Sequence, residues 1–230
     1  MYTRGFSVVT KGKESSGFSK EYWLENYAVL DEMGGVANAK LHARYLKSYL
    51  ELEMVQINSV IDFGFGLGYM LNEMMKAFRP YRSFGIEPSL HAFEIAKSYQ
   101  LKKSPGRKVT LANSGLTNWA KKVNSKSKHF DLGICTSVFQ YLTKSEIEEV
   151  LPVMAKQVRY LYFSVPTDIE FERQVSDLEF ADKYAKKRSR EYYLRLLKPH
   201  FTFISSRLLE SKVHFSQSDT PFTDLLFRFE

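Results

Sequence analysis

The chain has 230 residues, 44% hydrophobic and 26% charged, a balance that excludes wholesale disorder, a collagen-like repeat and, with a single cysteine, an internal disulfide framework. Lys and Arg number 33 against 26 Asp and Glu, a net charge of +7, which favours an anionic partner such as nucleic acid or a phosphorylated metabolite without requiring one. No apolar run reaches the roughly 20 residues of a membrane helix and the first residues lack the apolar stretch of a signal peptide, so a soluble, cytoplasmic protein with no membrane partner is expected.

Residues 1–20, rich in Gly, Ser and Lys, read as a loose lead-in. From about Ser19 to Glu53 the pattern is helical, with Leu41, Tyr45, Tyr49 and Leu52 at near-helical spacing, and Gly34-Gly35 divides it into two helices. Ser59–Phe63 is short, β-branched and followed by glycines, hence a buried strand. A helix over Tyr69–Phe78 stops near Pro80. A second strand over Arg82–Ile86 leads to a helix over Ser89–Leu101, with Ser89 placed to cap it. Strands over Lys108–Ala112 and Phe130–Cys135 follow, then a helix from Thr143 to about Gln157 that must tolerate Pro152, then a strand over Val158–Val165. This alternation predicts a parallel sheet wound with helices on both faces. After a helix over Ser189–Leu197, the segments Phe201–Glu210 and Phe222–Phe229 read as an antiparallel hairpin closing one sheet edge.

Asp62-Phe63-Gly64-Phe65-Gly66-Leu67-Gly68 lies between a predicted strand and a predicted helix. Glycines there permit a tight turn and close approach of the backbone to a ligand, and the next helix aims its N–H groups at it. A dinucleotide fingerprint would need a third glycine at position 69, which is Tyr. A carboxylate at Asp62 does not welcome a pyrophosphate but accepts hydrogen bonds from a cationic or hydroxyl-bearing ligand.

Ile61–Gly68 resembles the first motif of the class I S-adenosylmethionine-dependent methyltransferases. Phe84-Gly85-Ile86-Glu87-Pro88-Ser89 is similar to their second, with Glu87 19 residues after Gly68, the spacing at which an acid reaches ribose hydroxyls. Asn113-Ser114-Gly115 resembles the segment along the adenine, and Phe130–Leu142 the fourth-strand motif. The resemblance covers roughly residues 57–165. It implies a three-layer, Rossmann-like α/β fold: a mostly parallel seven-stranded sheet, a C-terminal antiparallel hairpin, and added N-terminal helices. It also implies S-adenosylmethionine as cofactor, held by Asp62, Gly64, Phe65, Gly66, Gly68, Glu87, Pro88, Ser114, Gly115 and Thr136. By the same match Cys135 and Thr136 sit near the methyl donor, and Gln140 and Tyr141 on the acceptor side. Residues 1–53 are then an N-terminal extension and helical cap, and 54–230 the cofactor-binding domain.

His42, in the second predicted helix, joins Gln140 and Tyr141 as a candidate substrate residue, and His42, His91, Tyr141, Asp168 and Glu170 are candidate bases; the sequence does not choose among them. Each histidine also has a plain structural reading. Cys135 reads as a small buried hydrophobe and Met70, Met74 and Met75 as core. Tyr22, Trp23, Tyr27, Tyr45 and Tyr49 either line an acceptor pocket or pack in the core. The basic runs Lys121–Lys128 and Lys183–Arg190 read first as solvated faces. No Cys/His cluster has metal-site spacing, and no metal is expected. The acceptor is expected to be a small molecule attacked through oxygen: the family's Asn/Asp-Pro-Pro-Tyr/Phe tetrapeptide for planar nitrogen acceptors is replaced by Thr136-Ser137-Val138-Phe139. The rival readings are an RNA or protein methyltransferase using the basic surface, and a non-catalytic binding protein of the same fold.

Overall fold

The computed structural model describes residues 18–27, 35–99, 108–124, 127–178, 182, 184–216 and 218–220. The elements in chain order are α1 (Lys20–Tyr27), α2 (Gly35–Leu52), β1 (Ser59–Phe63), α3 (Tyr69–Phe78), β2 (Arg82–Glu87), α4 (Leu90–Tyr99), β3 (Lys108–Asn113), α5 (Leu116–Lys122) and β4 (Phe130–Thr136). They continue with α6 (Lys144–Gln157), β5 (Val158–Ser164), α7 (Asp168–Leu178), α8 (Arg190–Leu197), β6 (Phe201–Phe203) and β7 (Leu208–Ser211).

The strands form one sheet in the order β3-β2-β1-β4-β5-β7-β6. β1 to β5 run parallel, and β7 runs antiparallel to both β5 and β6. The order reverses between β1 and β4, so their carboxyl ends open a crevice there, the usual ligand position in an open α/β sheet. Successive side chains of β1 point to opposite faces. Ile61 and Phe63 pack with Trp119, Leu151, Met154 and Leu197 of α5, α6 and α8. Val60 packs with Leu46, Leu50, Leu71 and Met74 of α2 and α3. These are the three expected layers, and Met74, Met75 and Cys135 are buried in them.

Thr143 caps α6 in a full capping box: its side chain accepts from the Glu146 N–H, and the Glu146 carboxylate accepts from the Thr143 N–H. Pro152 sits inside α6, as the sequence required. Ser189 caps α8 by accepting from the Tyr192 N–H.

Three elements differ from expectation. α5 was not anticipated; at seven residues it shows too little periodicity, and its apolar stripe of Leu116, Trp119 and Ala120 spans little more than one turn. α7 was not anticipated either, although Thr167-Asp168-Ile169-Glu170 carries the same start signal as α6, the Thr167 N–H donating to Glu170 Oε2 at 2.7 Å. Phe201–Glu210 is not one strand. It folds back at Ile204–Arg207, where Ser205 Oγ accepts from the Arg207 and Leu208 N–H groups, so the antiparallel pair lies wholly within Phe201–Ser211. The predicted strand Phe222–Phe229 lies outside the described residues.

Candidate functional site

The glycine turn after β1 is fastened to β2. The Gly64 and Phe65 N–H groups donate to the Ile86 carbonyl at 2.9 and 3.2 Å. Gly64 has φ +109°, and a Cβ there would meet Val138 Cγ2 at 2.6 Å, so both backbone and space demand glycine. Gly66 has φ +55°, and a Cβ would lie 3.3 Å from the Trp23 ring. Gly68 ends the turn as the N-cap of α3.

Glu87, at the end of β2, is buried. Its Oε2 accepts from the Gly66 N–H at 2.9 Å and its Oε1 from the Ser89 N–H at 2.8 Å. Burial pushes its carboxyl up to about 7, against the lowering by those two N–H bonds. Asp62 is buried on the α2–α3 face of β1; burial, and then the charge of Glu87, raise it well above the carboxylate range. Its Oδ2 has no hydrogen-bond partner. Asn113 Nδ2 donates to the Glu87 and Pro88 carbonyls at 2.8 and 3.1 Å, and the Ser114 N–H donates to the Glu87 carbonyl at 3.0 Å. Gly115, the N-cap of α5, is thereby drawn to the end of β2. Thr136 ends β4, and Ser137 follows at φ +55°, a conformation that costs a non-glycine residue energy and recurs at functional sites. Ten expected cofactor residues, Asp62, Gly64, Phe65, Gly66, Gly68, Glu87, Pro88, Ser114, Gly115 and Thr136, thus lie at the carboxyl ends of β1, β2, β3 and β4.

α1 docks over this rim. Trp23 Nε1 donates to Ser89 Oγ at 2.9 Å, and Ser89 Oγ donates to the Phe18 carbonyl at 2.8 Å. Ser89 also starts α4, accepting from the Ala92 N–H, so one side chain ties α1 to the turn that holds Glu87. Beside Trp23, the Tyr22 and Tyr141 hydroxyls both donate to Asp182 Oδ2, at 3.0 and 2.7 Å. Gln140 is buried next to Tyr141 with its Oε1 unpaired.

Several candidates lie elsewhere. His42, proposed from the sequence as a substrate residue, bonds the Tyr162 hydroxyl through Nδ1 and lies 3.2 Å from the Arg207 guanidinium. It fastens α2 to the β5–β7 edge, and burial, then Arg207, lower its pKa. Asp168 and Glu170 serve the first turn of α7, accepting from the Ile169 and Thr167 N–H groups. His91 follows the first residue of α4, near Glu21 of α1. The aromatic set divides: Tyr22 and Trp23 reach the rim, whereas Tyr45 and Tyr49 pair with each other on α2. Asp182 had no sequence signal; it stands 41 residues beyond Tyr141 and joins it only in the fold.

A sheet of this order with an acid-and-glycine cradle at its switch point defines a class I, Rossmann-like methyltransferase fold. Residues 60–160 match the family model described as a methyltransferase domain. No curated protein matches the sequence. Among solved structures, the plantazolicin methyltransferase BpumL in complex with SAH is 20% identical over 93% of this chain and 84% of its own, TM-score 0.63. Magnesium protoporphyrin IX methyltransferase from Synechocystis with bound SAH is 15% identical over 75% and 82%, TM-score 0.51. A small RNA methyltransferase is 17% identical over 75% of this chain but 25% of its own, TM-score 0.58. The class read from the four motifs, with S-adenosylmethionine as its cofactor, agrees with the family match and the fold. The donor set fits that cofactor: Glu87 retains acceptor capacity for hydroxyl donors, and Asp62 Oδ2 is a buried acceptor without a donor. Among the described residues no helix is long and apolar enough to cross a membrane.

Proposed function

We propose that the protein transfers the methyl group of S-adenosylmethionine to a small-molecule acceptor at the carboxyl ends of β1, β2 and β4. The observation that carries the reading is Glu87, a buried acid pinned to the glycine turn by the Gly66 N–H and set 19 residues beyond Gly68. In it, Glu87 takes the ribose hydroxyls, Ser114 and Gly115 flank the base, and Asp62, Thr136 and the glycine turn hold the amino-acid end. Bound there, the cofactor supplies an electrophilic methyl on a sulfonium whose leaving group is a neutral thioether. The chain's own work is to hold the acceptor about 3 Å from that carbon and in line, an alignment worth roughly 7–11 kcal/mol, and to exclude water. The same reading divides the chain into an N-terminal extension and cap over residues 1–53, of which α2 is seated on the sheet through Leu46 and Leu50, and a transferase domain over 54–230, and the buried Cys135 is in keeping with a reducing, cytoplasmic setting. The attacked atom, oxygen by the sequence expectation, depends on the groups beneath α1.

Calorimetric titration with S-adenosylmethionine, S-adenosylhomocysteine and NADH tests the reading. Micromolar binding of the first two, lost in Glu87→Ala, is expected. Binding of neither, or of NADH instead, overturns it. The net charge of +7 and the likeness to a small RNA methyltransferase favour an RNA acceptor as the second reading. It requires RNA binding that weakens steeply with salt.

A further inference from the structure

We infer that the acceptor is a cationic amine, held by the Asp182 carboxylate among the rings of Phe18, Tyr22, Tyr141 and Tyr184. The inference rests on the methyl-transfer reading above and names its substrate class.

The four rings come from three distant stretches of chain and gather beside one acid. Phe18 meets Tyr141 edge-on at 4.8 Å between centroids and Tyr22 at 5.2 Å, and Tyr184 lies 5.7 Å from Tyr22 and 6.5 Å from Phe18. Asp182 Oδ2 accepts from the Tyr22 and Tyr141 hydroxyls, and Oδ1 accepts from the Tyr184 N–H at 2.9 Å. A carboxylate offers about four acceptor positions, so Oδ1 retains one. Among the described residues no Lys, Arg or His pairs with Asp182 within 4 Å. Two of the described cations that follow it in the chain are committed elsewhere. Lys186 Nζ donates to the Tyr141 carbonyl, and the Arg188 guanidinium donates to the Phe139 and Leu142 carbonyls. Those bonds, with the Lys186 N–H on the Gln140 carbonyl at 2.8 Å, fix the turn after β4 against residues 186–188. The carboxylate is therefore held in place by donors that do not neutralise it.

Aromatic faces and a carboxylate together attract one kind of ligand. Ring quadrupoles draw cations, and the acid supplies the counter-charge. An anionic acceptor meets repulsion from Asp182, and a neutral alcohol gains neither attraction. Gln140, on the same turn, carries a buried acceptor oxygen without a partner. The cluster also adjoins the cofactor cradle: the Tyr22 and Trp23 rings are 5.8 Å apart, and Trp23 lies against Gly66. Nitrogen thus replaces oxygen as the attacked atom; the oxygen expectation rested only on a missing tetrapeptide. The step balances without another reactant. The ammonium gives one proton to Asp182 and through it to solvent. The freed nitrogen lone pair then forms the N–C bond as the S–C bond breaks, with its electron pair left on sulfur. The product is again a cation.

The test uses the intact chain saturated with S-adenosylhomocysteine and titrated with 2-phenylethylamine, 2-phenylethanol and phenylacetate. The amine is expected to bind at least about tenfold more tightly than the other two. Asp182→Asn is expected to remove that preference while leaving affinity for S-adenosylhomocysteine within twofold, which also confirms that the variant is folded. Equal affinity for amine and alcohol in the unaltered chain, tighter binding of phenylacetate, no amine binding, or a preference that survives Asp182→Asn overturns the inference and leaves the methyl-transfer reading standing. Failure of S-adenosylhomocysteine to bind overturns both.

Discussion

Glu87 is a carboxyl that burial holds near neutrality, at about 7 against an ordinary 4.5. A raised folded pKa means that the ligand-free fold binds this proton more tightly than the unfolded chain does, so its contribution to stability falls as pH rises from about 4.5 to about 7. Hydroxyl donors from a ligand favour the charged form and lower the pKa again. Affinity for S-adenosylhomocysteine is therefore expected to strengthen as pH rises from about 5.5 to about 7 and then level off. Close to one proton should be released per ligand bound at pH 6. Calorimetry at pH 6 in buffers of differing ionisation enthalpy measures that release; a pH-independent affinity would show that Glu87 does not meet the ligand. Asp62, raised by burial and by Glu87, adds to the same trend.

At the scale of elements, the best-read segments were those with signals confined to a few neighbouring residues. The glycine turn, Ser89 beside α4 and Thr143-x-x-Glu146 ahead of α6 are all local patterns, and the structure has each in place. Thr143→Ala removes one half of the α6 capping box and should cost about 1 kcal/mol. The denaturant midpoint should drop accordingly, with S-adenosylhomocysteine affinity unchanged because Thr143 lies beyond the cradle. α5 and α7 were missed for a related reason. A helix of two or three turns with one buried stripe has little period to read, and among the described side chains of α7 Phe171 is the buried hydrophobe. The β6–β7 turn was missed because Ile204-Ser205-Ser206-Arg207 has neither Gly nor Pro, and Ser205 makes the bend through its side chain instead.

Across the whole molecule, charge and packing meet at the end of the sheet opposite the cradle. His129, just ahead of β4, stacks on His214 beyond β7 with ring centroids 4.2 Å apart. Burial and then His214 lower the His129 pKa, with Asp131 acting the other way and Arg159 and Lys128 adding to the lowering. Burial also lowers His42 and His200. A depressed histidine is neutral in both states above about 6.5; below that the unfolded chain takes the proton first. The melting midpoint is therefore expected to fall as pH drops from 6.5 to 5, and His129→Gln should flatten part of that slope. An unaltered slope would exclude the stacked pair as a contributor.

The alternation of strand and helix, the glycine turn and the acid 19 residues beyond it are legible in the sequence, and with them the resemblance to a class of protein. Backbone dihedrals and periodicity depend on residues a few positions apart, so their record is local. Only the fold brings Asp182 to the Tyr22 and Tyr141 hydroxyls. Asp182 meets Tyr22 across 160 positions, and His42 turns to Tyr162 across 120. Such pairings follow from how α1, α2, Asp182 and residues 184–188 pack against the rest of the fold, and no spacing along the chain encodes them.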